Sequence, residues 1–277
     1  MALEQITPTV APLDSRDPKI LGYASETRIM AVVNQKGGVG KTTTAINLAA
    51  SMAELGRQVV LIDLDPQANS TSGLGFDVRR QRLNVYHLLA GEAVIDDVAV
   101  ATSVPGLHLV PSHVSLAGGE IELALVEDRE RRLQLALREL SGGFGHVLID
   151  CPPSLGLLTL NALTAAHEVL IPVQCEYYAL EGLGHLLYTM ELVRERLNPG
   201  LRLAGILMTQ LDSRTTLGWD VVQEVRRAYP EKIYETLIPR NVRLSEAPSH
   251  GQPVTEYDPN CRGAQAYRQL AKEVLSR

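Results

Sequence analysis

Lys36-Gly37-Gly38-Val39-Gly40-Lys41-Thr42-Thr43 is the densest stretch of chemistry in this sequence. It follows an apolar run, Ile29 to Val33, and opens a helical pattern. Closely spaced glycines let successive backbone N–H groups turn toward one anion, because glycine reaches positive φ without a Cβ penalty. The helix that follows offers free N–H donors and the positive end of its dipole. In such a cradle Lys41 reaches β- and γ-phosphates, and the Thr42 hydroxyl ligates Mg²⁺. The ordinary phosphate loop has a glycine five residues before its Gly-Lys pair. Here Gln35 holds that place and Lys36 comes next. A second lysine so near the same phosphates is redundant within one chain. It makes sense if it reaches across an interface into the nucleotide of a second copy.

Two further acidic positions end apolar runs: Asp63, followed by Asp65, after Val59 to Ile62, and Asp150 after Val147 to Ile149. A strand-end aspartate beside a phosphate loop suits Mg²⁺ held through water, the role expected of Asp150. The neighbouring Cys151 reads as a small core residue.

These residues need a frame that brings strand ends together. Short apolar runs alternate with longer helical patterns, which predicts an α/β fold, a mostly parallel twisted sheet with helices on both faces. The expected strands are 29–34, 58–63, 107–111, 146–150, 168–173, 203–209 and 233–238, about seven to eight in all. The expected helices are 41–55, 116–140, 157–166, 180–197, 217–229 and 263–275. In the second of these Leu133, Leu137 and Leu140 form an apolar stripe, with Arg129 to Arg132 facing water. Every motif falls at the carboxyl end of a strand, where open α/β sheets bind ligands.

The loop resembles the deviant Walker A family of P-loop ATPases, and within it the ParA/Soj partition proteins. The resemblance continues in order through Val59 to Asn69, Val147 to Ser154, Pro172 to Gly182 and Ile238 to Gly251, and covers residues 28 to 275. It implies a P-loop NTPase fold and an ATPase using ATP and Mg²⁺. Asp65 would position or activate the attacking water, and Asp63 would lie near the metal. Lys36 would cross a dimer interface to the partner's phosphates, making an ATP-dependent homodimer. Lys36 to Thr43 would hold the phosphates, with the purine between Met208 and Pro239 and the Pro239-Arg240-Asn241 loop at the base pocket. The dimer would bind double-stranded DNA without sequence preference through Arg214, Arg240 and Arg243. A ParB/Spo0J-like centromere-binding protein would stimulate hydrolysis, in the cytoplasm on the nucleoid. The segment 174–182 is read either as a switch at the dimer face or, at Tyr177 and Tyr178, as plain packing.

Composition narrows the choices. The chain has 277 residues and a net charge of −6, so it is no globally basic nucleic-acid binder, and DNA contact must come from a local patch. Taken alone, the late arginines look like scattered solvated surface. Cys151, Cys175 and Cys261 make neither a C-x-x-C pair nor a disulfide framework, which points to a reducing compartment and away from an iron–sulfur carrier. No apolar run is long enough to span a bilayer. The end of the chain reads as a closing core helix without a membrane-targeting tail, against a MinD-like membrane ATPase. A positioning ATPase for a protein cargo would use the same switch. Residues 1–27 read as a flexible leader, too short for a helix-turn-helix module, ahead of one ATPase domain over 28–277.

Overall fold

The computed structural model describes residues 27–140, 143–176 and 179–277. Residues 1–26 of the expected leader, and Tyr177 and Tyr178, lie outside the described residues. Along the chain, β1 (Arg28–Val32) is followed by α1 (Lys41–Glu54), β2 (Val59–Asp63), α2 (Asn69–Gly73), α3 (Val85–Ala90) and α4 (Ile95–Val98). A short β3 (Val100–Ala101) and β4 (Leu107–Val110) lead into α5 (Ser115–Leu123) and α6 (Arg132–Arg138). The second half runs β5 (His146–Asp150), α7 (Leu157–Ala165), β6 (Glu168–Gln174), α8 (Ala179–Arg196) and β7 (Arg202–Thr209). It closes with α9 (Thr216–Ala228), α10 (Val242–Glu246), α11 (Val254–Tyr257) and α12 (Arg262–Ser276).

The strands form one seven-stranded sheet in the order β3-β4-β2-β5-β1-β6-β7. All neighbours are parallel except the edge pair β3–β4. The central strands are apolar throughout because both faces are covered. In β1 the two-residue period sends Ile29 and Ala31 into one core layer and Met30 and Val32 into the other. The first layer lies against α7 and α8, and the second against α1 and α12. There the Thr44 and Tyr267 hydroxyls meet at 3.2 Å.

Three expectations change. The single helix expected over 116–140 is two, α5 and α6, because Asp128 takes a left-handed conformation (φ 56°) that no helix continues through. Arg132 does not face water. It is 2% exposed, and its guanidinium donates to the Leu89 and Ala90 carbonyls at 2.7 and 2.8 Å. These are unpaired carbonyls at the end of α3, where a cation also suits the helix dipole. Finally, 233–238 follows β7 only through isolated bridges, Ile206 to Ile233 and Leu211 to Pro239. Tyr234 and Ile238 still donate to the Ile206 and Met208 carbonyls of β7, but between them the Thr236 N–H donates instead to the Glu273 carboxylate of α12 at 3.0 Å, as the Glu235 N–H does at 2.8 Å, and the ladder breaks there.

Candidate nucleotide site

The loop after β1 is held open as a cradle before anything enters it. Gly38 and Gly40 have φ of 76° and 86°, values that L side chains rarely adopt. Gly40 caps α1 without a side-chain acceptor, so the first N–H groups of that helix face the loop. Neighbouring strand ends fix the carbonyls: Thr209 donates to Val39 at 2.8 Å and Gln210 to Gly38 at 2.5 Å. Asn34 accepts from the Lys36 N–H at 3.0 Å and donates to the Pro172 carbonyl at 2.7 Å.

The two lysines of the loop have different surroundings. Lys41 is 7% exposed; its ammonium donates inward to the Lys36 carbonyl at 3.0 Å. Burial lowers its pKa, opposed by the charge of Asp150. The Lys36 side chain is 43% exposed and turns outward, its ammonium 3.0 Å from Glu176. Glu176 also accepts from Gln174 at 2.6 Å, and Gln174 donates to Gln210 at 3.2 Å. An ion pair this exposed is worth at most about 1 kcal/mol and leaves Lys36 free to exchange partners.

Asp63 and Asp150 are fully buried and stand side by side in the β2–β5 register. Asp63 Oδ2 accepts from the Thr71 N–H and hydroxyl, both at 2.7 Å, and its Oδ1 from the Asp65 N–H at 3.3 Å. Asp150 Oδ2 accepts from Ser70 at 2.8 Å, while its Oδ1 is buried without a hydrogen-bond partner. Burial pushes both carboxyls up, and at Asp63 the neighbouring Asp150 acts in the same direction. The hydroxyls of Ser70 and Thr42 pull Asp150 the other way. Two buried carboxylates, an orphaned oxygen and a nearby threonine hydroxyl fit a divalent cation, whose charge would repay their desolvation. Asp65 is 6% exposed; its Oδ1 accepts from the Gln67 N–H at 2.9 Å.

Sequence reasoning missed the residues that brace these acids. Ser112 donates from its hydroxyl to the Asp65 carbonyl at 2.7 Å. Its N–H donates to Thr71 Oγ1 at 2.9 Å. Thr71 thus ties β4 to Asp63 and, through Ser112, to Asp65. Ser70 and Thr71 sit just beyond a recognised motif, but nothing in the sequence links Ser112 to it.

A cavity of about 410 Å³ adjoins the cradle, lined in part by Gly40, Thr43, Pro239, Arg240, Asn241 and Tyr267. Its walls include the expected Pro239 and Asn241. Met208 does not line it: that side chain is fully buried in the layer against α7 and α8. The strand period decides this, since Thr209 takes the loop-facing side of β7. Asn241 also caps α10, accepting from the Arg243 N–H at 2.8 Å.

The segments that carry the predicted basic residues are joined through the backbone. The Arg240 N–H bonds to the Leu211 carbonyl at 2.9 Å, joining the loop after β7 to 239–243. Arg214 is paired with Asp212 at 2.7 Å and holds that carboxyl well below its usual range. Arg243 pairs with Glu246 at 2.8 Å and Asp258 at 3.2 Å. Arg240 lines the nucleotide-side cavity.

An AAA domain family matches residues 27–203. The sporulation initiation inhibitor protein Soj of Bacillus subtilis is 54% identical over 90% of this chain and 98% of its own. The chromosome partitioning protein ParA of Caulobacter vibrioides is 50% identical over 92% and 96%. Among solved structures, a cobyrinic acid a,c-diamide synthase from Mycobacterium smegmatis with bound ADP and magnesium aligns at 42% identity and a TM-score of 0.79, over 90% of this chain and 94% of that one. MinD from Pyrococcus horikoshii, complexed with Mg-ADP, aligns at 27% identity and a TM-score of 0.71, over 90% and 96%. With matches of this identity along nearly the whole of both chains, the protein belongs to the ParA/Soj family of chromosome-partitioning ATPases.

Proposed function

We propose that this chain is an ATP-driven DNA-partition switch. The observation that carries the reading is the contrast between the two lysines of one loop. Lys41 is turned inward and serves its own cradle, whereas Lys36 opens onto the surface at the same strand end. In this reading Lys36 to Thr43 hold the phosphates of ATP, with Thr42 and Asp150 toward Mg²⁺ and Asp63 behind them. Pro239, Asn241 and Thr209 flank the base. Bound Mg²⁺ supplies charge neutralisation for phosphoryl transfer; Asp65 orients the attacking water. Lys36 leaves Glu176 for the nucleotide of a second copy, so γ-phosphate contacts favour the dimer.

Dimerisation joins two weak basic edges, each carrying Arg214, Arg240 and Arg243, into one DNA-binding surface, and affinity rises by avidity. A ParB/Spo0J-like partner stimulates hydrolysis and releases the dimer from the nucleoid. The names of the relatives support the partition role. Among the described residues no helix is long and apolar enough to cross a membrane.

The test is retention of DNA of unrelated sequence by the purified protein with ATP, ADP or no nucleotide, at two salt concentrations. Binding only with ATP, falling steeply with salt, is expected. Equal retention in all three states, or none in any, would overturn the reading; binding to liposomes instead would assign the chain to a membrane surface.

A further inference from the structure

The residue that follows β7 is strained. Gln210 takes φ 54°, in the left-handed region that disfavours a side chain. Its neighbours are held on both sides: the Thr209 carbonyl accepts from the Cys175 N–H at 3.1 Å, and the Leu211 N–H donates to the Ile238 carbonyl at 3.0 Å. Glycine would make the same turn without penalty, and glycines fill the positive-φ positions of the phosphate loop that it faces. Strain of this kind persists where the surrounding structure enforces it, and it is a reason to ask what the side chain does.

Its contacts answer. In a continuing strand Gln210 would point away from the face that Thr209 takes. The left-handed turn brings it back, so both side chains reach the phosphate loop, Thr209 at the Val39 carbonyl and Gln210 at the Gly38 carbonyl. A trans peptide points its C=O and its N–H in opposite directions. Holding the Gly38 carbonyl toward the end of β7 therefore turns the Val39 N–H the other way, and holding the Val39 carbonyl does the same for the Gly40 N–H. Two donors of the cradle are thereby given a fixed direction. The Gln210 amide is itself oriented, because its oxygen accepts from Gln174 at 3.2 Å. Gln174 also donates to Glu176 at 2.6 Å, and Glu176 holds the Lys36 ammonium at 3.0 Å. Gln210 thus touches the loop directly at Gly38 and, through two side chains, at Lys36.

We infer that Gln210 is a positioning residue of this ATPase: its amide holds the loop so that the Val39 N–H faces the phosphates, an assignment that rests on the nucleotide site proposed above. The test compares wild type with Gln210→Gly, which relieves the backbone and removes the amide, and Gln210→Met, which removes the amide but keeps the strain and most of the bulk. Affinity is measured for a fluorescent ADP analogue with Mg²⁺, and for inorganic pyrophosphate by displacement of that analogue; Tm is measured without nucleotide. Expected is a roughly three- to tenfold loss of affinity for both anions in both variants, the size of one hydrogen bond's contribution. Gln210→Gly should nonetheless melt above Gln210→Met, because only the glycine sheds the strain. A residue that served folding alone would make affinity follow Tm, with Gln210→Gly binding like wild type and Gln210→Met more weakly; that result would overturn the assignment. So would wild-type affinity in both variants, or a loss seen with the ADP analogue and not with pyrophosphate, which would put Gln210 at the base instead. If the wild type itself does not bind the ADP analogue, the nucleotide site falls and the role of Gln210 with it.

Discussion

Replacing Thr71 by valine keeps the side-chain shape and removes one hydroxyl from the centre of the acid cluster. That hydroxyl donates to Asp63 at 2.7 Å and accepts from the Ser112 N–H at 2.9 Å. Asp63 Oδ2 retains the Thr71 N–H, so the loss on that side is one hydrogen bond to a buried carboxyl, about 1–2 kcal/mol. On the other side the buried Ser112 N–H is left without a partner, about 1–3 kcal/mol. Both effects act through one atom and do not simply add, so the expected total is about 2–4 kcal/mol. With about 2–4 °C per kcal/mol for a chain of this size, Tm should fall by about 5–15 °C. Thr71→Ser keeps the hydroxyl and should recover most of the loss. Urea and thermal unfolding of the three proteins decide the matter. A valine variant within about 0.5 kcal/mol of wild type, or a serine variant as unstable as the valine one, would refute the bracing role of Thr71.

Asp65→Ala should bind ATP and dimerise but not hydrolyse; turnover near wild type, measured by phosphate release, would remove Asp65 from its assigned role. Arg243→Glu should lose DNA retention at moderate salt, with a shallower salt dependence than wild type; unchanged retention would exclude that edge as the DNA surface. Burial lowers the pKa of His146 and of His167. The unfolded chain then takes up protons first as pH falls through about 6.5, so the folded state is fully favoured above that value and loses stability below it. A lower Tm at pH 5.5 than at pH 7.5 is expected, with a smaller difference in the double variant His146→Gln/His167→Gln. An equal difference in the double variant would show that other groups set the slope.

The sequence carried the frame well because its local signals are strong. β2 and β5 are continuous apolar runs ending in aspartate, and the glycines of the loop can serve little else. What it hid depends on contacts between distant segments. Arg132 looks like one more charge in a basic run until the end of α3 packs against it. The 233–238 segment has strand composition, yet its Glu235 and Thr236 N–H groups go to Glu273, 38 and 37 residues further on. Met208 and Thr209 are neighbours on an apolar strand, and only the assembled sheet tells which faces the loop. Ser112 was invisible because its partner Asp65 is 47 residues away.

The most direct test of the switch is the mass of the protein in solution with ATP and with ADP, for wild type and Lys36→Ala. Expected are a wild-type dimer with ATP and monomer with ADP, and a Lys36→Ala protein that still binds nucleotide but stays monomeric with both. Dimerisation of Lys36→Ala with ATP as tight as wild type would contradict it.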